Sequence, residues 1–157
     1  MRYVKTVAIV IAIAIALGIL GISAGCVPLD DAKDEGSIEY RTDILPIRNR
    51  FPDLPEFTTC YWKADMIGHI YFGPTSYWMR GFVCLDEKEF QQVLADYVWK
   101  EESIVFPTGI DPSITGKSNF RWHSNAEFES LILQQNFVGI VLLDVNNGIL
   151  YFSVENM

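Results

Sequence analysis

Apolar and polar residues fall into three regimes along the chain. Val7 to Leu29 contains no charged side chain, and Val7 to Ile22 is almost wholly aliphatic. Residues 27–45, beginning Val27-Pro28-Leu29-Asp30-Asp31-Ala32-Lys33-Asp34-Glu35, are polar and acidic with no clear period. From about Leu45 the chain becomes dense in aromatic and aliphatic residues, and their spacing alternates between the strand and helix periods.

Phe57–Ala64, Met66–Phe72 and Ser76–Leu85 are rich in β-branched and aromatic residues, which suit a pleated, half-buried surface. Gly73-Pro74-Thr75 separates the last two and predicts a hairpin between them. Asp86 then caps a helix whose stripe is Phe90, Val93, Leu94 and Tyr97, with Glu89 placed to bond back to the cap. Ser103–Phe106 reads as a short strand, and Pro107–His123 as the longest irregular stretch. Ser124-Asn125-Ala126-Glu127 repeats the capping pattern ahead of a second helix with Phe128, Leu131 and Ile132 inward.

Phe137–Val145 and Ile149–Val154 flank Asn146-Asn147-Gly148, a strong hairpin signal. Val138–Leu143 is apolar at every position and is expected to be central, covered on both faces. Its partner alternates, with Leu150, Phe152 and Val154 inward and Tyr151, Ser153 and Glu155 outward. The expected fold is α+β: a mainly antiparallel sheet of four to six strands with two packed helices, in one small domain. The expected boundaries are an export signal at 1–25, an acidic flexible tether at 26–45 and the globular domain at 46–157.

Composition agrees with one packed domain. The chain has 157 residues, half of them hydrophobic and 13% aromatic. Its 12 Lys and Arg against 20 Asp and Glu leave a net charge of −8, which excludes a general nucleic-acid binder, since phosphate contacts need clustered cations. No repeat and no low-complexity tract is present, so solenoids and propellers are excluded as well.

The N-terminal regime carries the most specific signal. Arg2 and Lys5 precede the apolar run, and Ser23-Ala24-Gly25 leads into Cys26, the layout of an export signal with small residues before a processing site. Ile22-Ser23-Ala24-Gly25-Cys26 resembles the lipobox of bacterial lipoproteins, with Ser23 standing where that family usually carries Leu. The resemblance implies cleavage before Cys26, a lipid on its thiol and a place in the bacterial cell envelope, outside the cytoplasm and anchored to the membrane. Two other readings stay open. The uncharged run is long enough to serve as an uncleaved anchor, which takes about 20 apolar residues, and cleavage after Gly25 with full secretion is the other. Loss of residues 1–25 would remove two cations and no acid, so 10 basic and 20 acidic side chains would remain and the charge would be −10. Attachment would then come from the lipid or anchor and not from the domain surface, which anionic headgroups repel.

Motifs for catalysis are weak. Gly21-Ile22-Ser23-Ala24-Gly25 fits the hydrolase pattern G-x-S-x-G only as text, because it lies inside the export signal. Asp111–Ser118 approaches a phosphate-binding loop, but Asp111 sits where the first Gly is needed and no helix pattern follows. His69 and His123 are the only histidines, and no metal-ligand spacing accompanies them. Both fit structural roles, His69 in a strand and His123 before the second helix. The residues therefore point to no catalytic site, no metal and no cofactor. Cys60 and Cys84 are expected to be small core residues, because the hairpin placed around Gly73-Pro74-Thr75 sets Cys84 opposite about Asp65, beyond bridging reach of Cys60.

The function that follows is a surface-tethered lipoprotein with a non-enzymatic binding or interaction domain, its partner a protein or glycan of the envelope. Alternatives are an envelope hydrolase using His69 or His123 with a carboxylate, and a carbohydrate or peptidoglycan binder using Trp62, Trp78, Trp99 and Trp122. The candidate binding strip is Trp78, Arg80 and Phe82. Alternation places them on one face of Ser76–Leu85, and a buried Arg requires a paired acid, so that face is expected to be the wetter one.

Overall fold

The computed structural model describes residues 38–67, 76–134 and 137–156. The export signal, Cys26, the Gly73-Pro74-Thr75 turn and His69 lie outside the described residues. Chain order runs through α1 (Leu45–Arg50), β1 (Phe57–Ile67), β2 (Ser76–Leu85), α2 (Glu87–Asp96), β3 (Lys100–Glu101), β4 (Trp122–Ser124), α3 (Ala126–Leu133), β5 (Phe137–Asp144) and β6 (Ile149–Asn156). The strands form one antiparallel sheet of six, in the order β1-β2-β6-β5-β4-β3. The α+β architecture expected from the sequence is therefore present. No helix among the described residues is long and apolar enough to cross a membrane.

The sheet is covered on both faces. One cover is helical: Ile47 of α1, Phe90 and Val93 of α2 and Phe128, Ile132 and Leu133 of α3 pack on Trp62, Met79, Val83, Val141, Leu150, Phe152 and Val154. The helices start where side chains can cap them. Asp86 accepts from the Lys88 amide at 3.0 Å, and Asn125 accepts from the Phe128 amide at 2.8 Å. The second cap falls one residue later than expected, at Asn125 and not Ser124, so Leu131 turns outward and Leu133 inward.

The second cover has no regular helix. Ile104, Phe106, Ile110 and Phe120 lie over Phe82, Leu142, Ile149 and Tyr151, with Trp122 of β4 completing the cluster. Phe82 meets Phe106, Trp122 and Tyr151 at centroid separations of 5.8, 6.2 and 5.4 Å, so this core is largely aromatic. The hairpin joining β5 to β6 fastens the cover. Asp144 is wholly buried, and its carboxylate accepts from the Arg121 amide at 2.7 Å and from the Asn147 amide group at 2.6 Å. Asn147 also donates to the Ser118 carbonyl at 3.0 Å. Gly148 has φ of 67°, and a Cβ there would sit 2.9 Å from the Phe90 ring, so only glycine fits the turn.

Several expectations change. Phe57–Ala64 and Met66 belong to one continuous strand, β1, because Asp65 sits opposite Trp78 on the less covered part of the sheet and does not interrupt the ladder. Ser103–Phe106 is not a strand; the pairing there is limited to Lys100 and Glu101. Two-sided burial of β5 holds only from Val141 to Asp144, where β4 and the second cover reach it. Val138 and Ile140 are 56% and 40% exposed. Tyr151, expected outward, is buried by the aromatic cover.

The domain also begins earlier than position 46. Arg41 forms an antiparallel bridge with Trp62, through two backbone hydrogen bonds of 2.8 and 2.9 Å. The Trp62 indole donates to the Asp43 carbonyl at 3.1 Å. The Tyr40 hydroxyl accepts from the Asp111 amide at 2.9 Å and donates to the Gly109 carbonyl at 3.4 Å. Residues 40–44 of the expected tether are thus part of the fold. Net hydrogen bonds contribute about 0.5–1.5 kcal/mol each, so a chain starting at Leu45, without these five, should lose roughly 2.5–7.5 kcal/mol relative to one starting at Ile38. Urea denaturation of the two chains measures the difference.

Cys60 and Cys84 are both free thiols. The register places Cys84 opposite Thr59, and not near Asp65, with Cys60 opposite Val83. The two cysteines are close in the ladder but project to opposite faces, Cys60 into the helical core and Cys84 toward the aromatic one. The sheet itself keeps them apart. Burial, with the Asp43 charge and Cys84 adding to it, pushes the Cys60 thiol from its ordinary 9.0 up to about 11. A raised folded value means the stabilisation is present below pH 9 and is lost as pH rises through about 11. Cys60→Ala should therefore show a flatter fall in urea midpoint over that window than the parent protein.

Candidate functional site

The strip of Trp78, Arg80 and Phe82 does share one sheet face, but two of its three members are closed off. Phe82 is 0% exposed, inside the aromatic core, and Trp78 is 6% exposed. Arg80 lies with its guanidinium carbon 4.7 Å from the Trp78 ring centroid and donates from Nε to the Ser153 hydroxyl at 3.3 Å. The expected wet face fails at Phe82 because the segment after β3 folds back over it, which the lack of a strand or helix pattern concealed, while the Trp78 ring carries the Arg80 guanidinium. Across the ladder from Arg80, Lys63 is only 4% exposed, with its ammonium 4.5 Å from the Tyr40 ring centroid.

The other candidates are also committed to packing. His123 is nearly buried in β4, and its Nδ1 lies 3.0 Å from the Arg121 carbonyl oxygen. A carbonyl can only accept, so Nδ1 carries the proton, and a backbone oxygen takes the place that a polarising carboxylate would need. Trp62, Trp78 and Trp122 are buried; Trp99 meets Tyr97 and Phe128 edge-on and donates to the Val93 carbonyl. They do not form the open row of coplanar rings that a sugar platform requires. Among the described residues, no three His, Cys, Asp or Glu side chains gather as a metal site.

A cleft that the sequence did not single out stands at the far end of β1 and β2, on the helical face. It encloses about 290 Å³ and is lined by Arg41, Arg50, Trp62, Ala64, Asp65, Met66, Tyr77 and Met79. Its construction follows from local structure. Alternation along β1 and β2 sends Trp62, Ala64, Tyr77 and Met79 to the helical core, where Trp62 and Met79 form a buried apolar floor. The bridge to Trp62 delivers Arg41, whose guanidinium carbon lies 5.0 Å from the Trp62 ring centroid. Pro46 sits in the first turn of α1, and the six-residue helix ends on Arg50, a favoured position for a cation. Arg50 lies 5.5 Å from the Tyr77 ring centroid and donates to the Tyr77 hydroxyl and the Pro46 carbonyl, each at 3.3 Å.

Two guanidinium groups therefore face one cleft, each held by an aromatic ring. Neither forms an ion pair among the described residues. Arg48, between them in sequence, behaves differently: it pairs with Glu56 and lies over Phe57, and the hydrogen bonds between the pair hold the Glu56 carboxyl below its usual range. Guanidinium forks suit planar oxyanions, and stacking orients them at little entropic cost. The cleft can hold an anionic group while its Trp62–Met79 floor receives an apolar one.

The two regions should respond oppositely to mutation. Trp78→Ala should lower stability by roughly 3–5 kcal/mol, as for a buried aromatic, whereas Arg41→Gln and Arg50→Gln should stay within about 0.5 kcal/mol, as for surface positions. Urea denaturation of the three variants checks both ranges.

The chain matches no family model, no curated protein and no solved structure, so its function has to be read from the cleft's own residues.

Proposed function

We propose that this is a lipid-anchored protein of the bacterial cell envelope, held outside the cytoplasm through Cys26, whose domain is a non-enzymatic binding module. The observation that carries the reading is the pairing state of Arg41 and Arg50. In a chain with 20 acids and 12 bases, carboxylates are in excess, yet among the described residues none is bound to either of these two guanidinium groups at the cleft. Stacked but unneutralised cations are features of recognition surfaces, where Arg is favoured together with Trp and Tyr.

Anchoring and binding fit together physically. An acidic domain is repelled by anionic headgroups, so a lipid supplies the attachment that the surface does not. The thirteen residues from Val27 to Glu39, fully extended, would keep the domain within about 45 Å of the membrane. The lipobox-like residues 22–26 support this reading of the N-terminus.

Detergent phase separation of the expressed full chain tests the anchor. The parent protein should enter the detergent phase with residues 1–25 removed and should incorporate labelled fatty acid. Cys26→Ser should abolish the label and either release the protein or leave it unprocessed. Detergent partition of both forms with Arg2 still present would identify an uncleaved anchor and overturn the lipoprotein reading.

A further inference from the structure

We infer that the Arg41–Arg50 cleft and the end of β1 beside it dock on zwitterionic phospholipid, the surface to which the chain is tethered. The guanidinium groups meet lipid phosphates, and Met66 and Ile67 enter the interface. This inference rests on the reading of the protein as lipid-anchored, and it names what the cleft binds.

The tether selects this end of the sheet. The described chain starts at Ile38, and the steps from there to Arg41 span at most about 11 Å. The stretch from Cys26 therefore joins the domain beside the cleft, at the β1 edge of the sheet, whereas β3 forms the opposite edge. A short tether brings the joined edge to the bilayer first. It also keeps that edge at a high local concentration, so a contact too weak to hold a free domain suffices.

Charge fits the headgroup. Arg41 and Arg50 are exposed and stack on Trp62 and Tyr77, which leaves their edges open. Guanidinium edges match pairs of phosphate oxygens. Glu39 and Asp43, exposed on either side of Arg41 in the sequence, suit the ammonium groups that zwitterionic lipid carries beside each phosphate. Purely anionic lipid lacks that partner and repels them. Asp65 takes no part: it alternates to the other sheet face with Trp78 and Arg80, and its Oδ1 accepts from the Met66 amide at 3.0 Å.

Apolar side chains complete the surface. Met66 and Ile67 are 55% and 40% exposed, and alternation sends them to opposite faces, so both sides of the strand end are apolar. No Asp, Glu, Lys or Arg follows them in the sequence until Arg80. With the Met66 amide already bonded to Asp65, lipid can cover this point without stranding a donor. Apolar residues beside cations are the pattern of interfacial membrane contacts.

Two indoles report on the two edges. Trp62 lies under the cleft with its N–H held by the Asp43 carbonyl, and Trp99, next to β3, donates to the Val93 carbonyl. Strand spacings of about 4.8 Å each separate the edges across the six-stranded sheet. The full processed chain would be placed in phosphatidylcholine nanodiscs containing lipid with a headgroup nitroxide, which broadens nearby resonances. The Trp62 indole N–H should lose at least threefold more intensity than the Trp99 N–H. Arg41→Gln combined with Arg50→Gln, or Met66→Glu alone, should remove the difference, while Arg48→Gln, outside the cleft, should preserve it. Phosphatidylglycerol discs should shrink it, and a larger difference there would overturn the zwitterionic partner. Equal losses at both indoles, or none in a chain that has entered the discs, would mean that the domain swings free on its tether. That result overturns the docking and leaves the anchor in place. A difference that survives the arginine and Met66 substitutions would overturn the docking surface as well, because other residues would then make the contact. A processed chain that fails to enter the discs at all would overturn the lipid anchor itself.

Discussion

Burial of β2 and β6 on both faces is the constraint on which the rest of the domain depends. These adjacent strands carry apolar side chains at consecutive positions, so each face needs its own cover. Helices provide one. The other is built from an irregular segment whose backbone groups cannot pair with one another as a helix would, and a buried loop is stable only where such groups find partners. Tyr40, Asp144 and Asn147 supply them, at the Gly109–Asp111 and Ser118–Arg121 parts of the segment. Close backbone approach adds to this. A Cβ on Gly81 would lie 2.3 Å from the Tyr61 carbonyl oxygen, which leaves β1 and β2 no room for a side chain there.

The cleft exists where that two-sided packing ends. At the cleft Arg41 stacks on Trp62 and Arg50, the last residue of the six-residue α1, stacks on Tyr77. Arg41 and Arg50 cover apolar rings with their own planar faces while their edges remain available, a use of arginine that lysine cannot match. Lys63 contrasts with them on the opposite face. Its stem is buried and its ammonium rests on Tyr40, where it acts as part of the packing between the segment at Tyr40 and the sheet.

Acidity sets the electrostatic field in which the cleft sits. With 20 acids against 12 bases the chain is strongly acidic, so a local pair of cations stands out in an otherwise negative field.

Much of the fold was legible in local sequence because its signals are local. The Asp86 cap, the Asn146-Asn147-Gly148 hairpin and the alternation of Leu150, Phe152 and Val154 each lie within a few residues of the structure they specify. What tertiary structure alone decided is long-range. The hairpin register depends on pairing over ten residues of β1 and β2, and one different alignment moved Cys84 from Asp65 to Thr59. Arg41 looked like tether because its neighbours are polar; it joins the domain only through Trp62, a strand that follows it. Phe82 looked accessible because nothing periodic announced the segment that covers it. The sequence by itself determined the two capped helices, the closing hairpin and the long strands, since those follow from side-chain spacing within each segment. Only the folded chain decided which apolar faces are doubly covered and which cations are left unpaired, because both depend on segments that meet from distant positions.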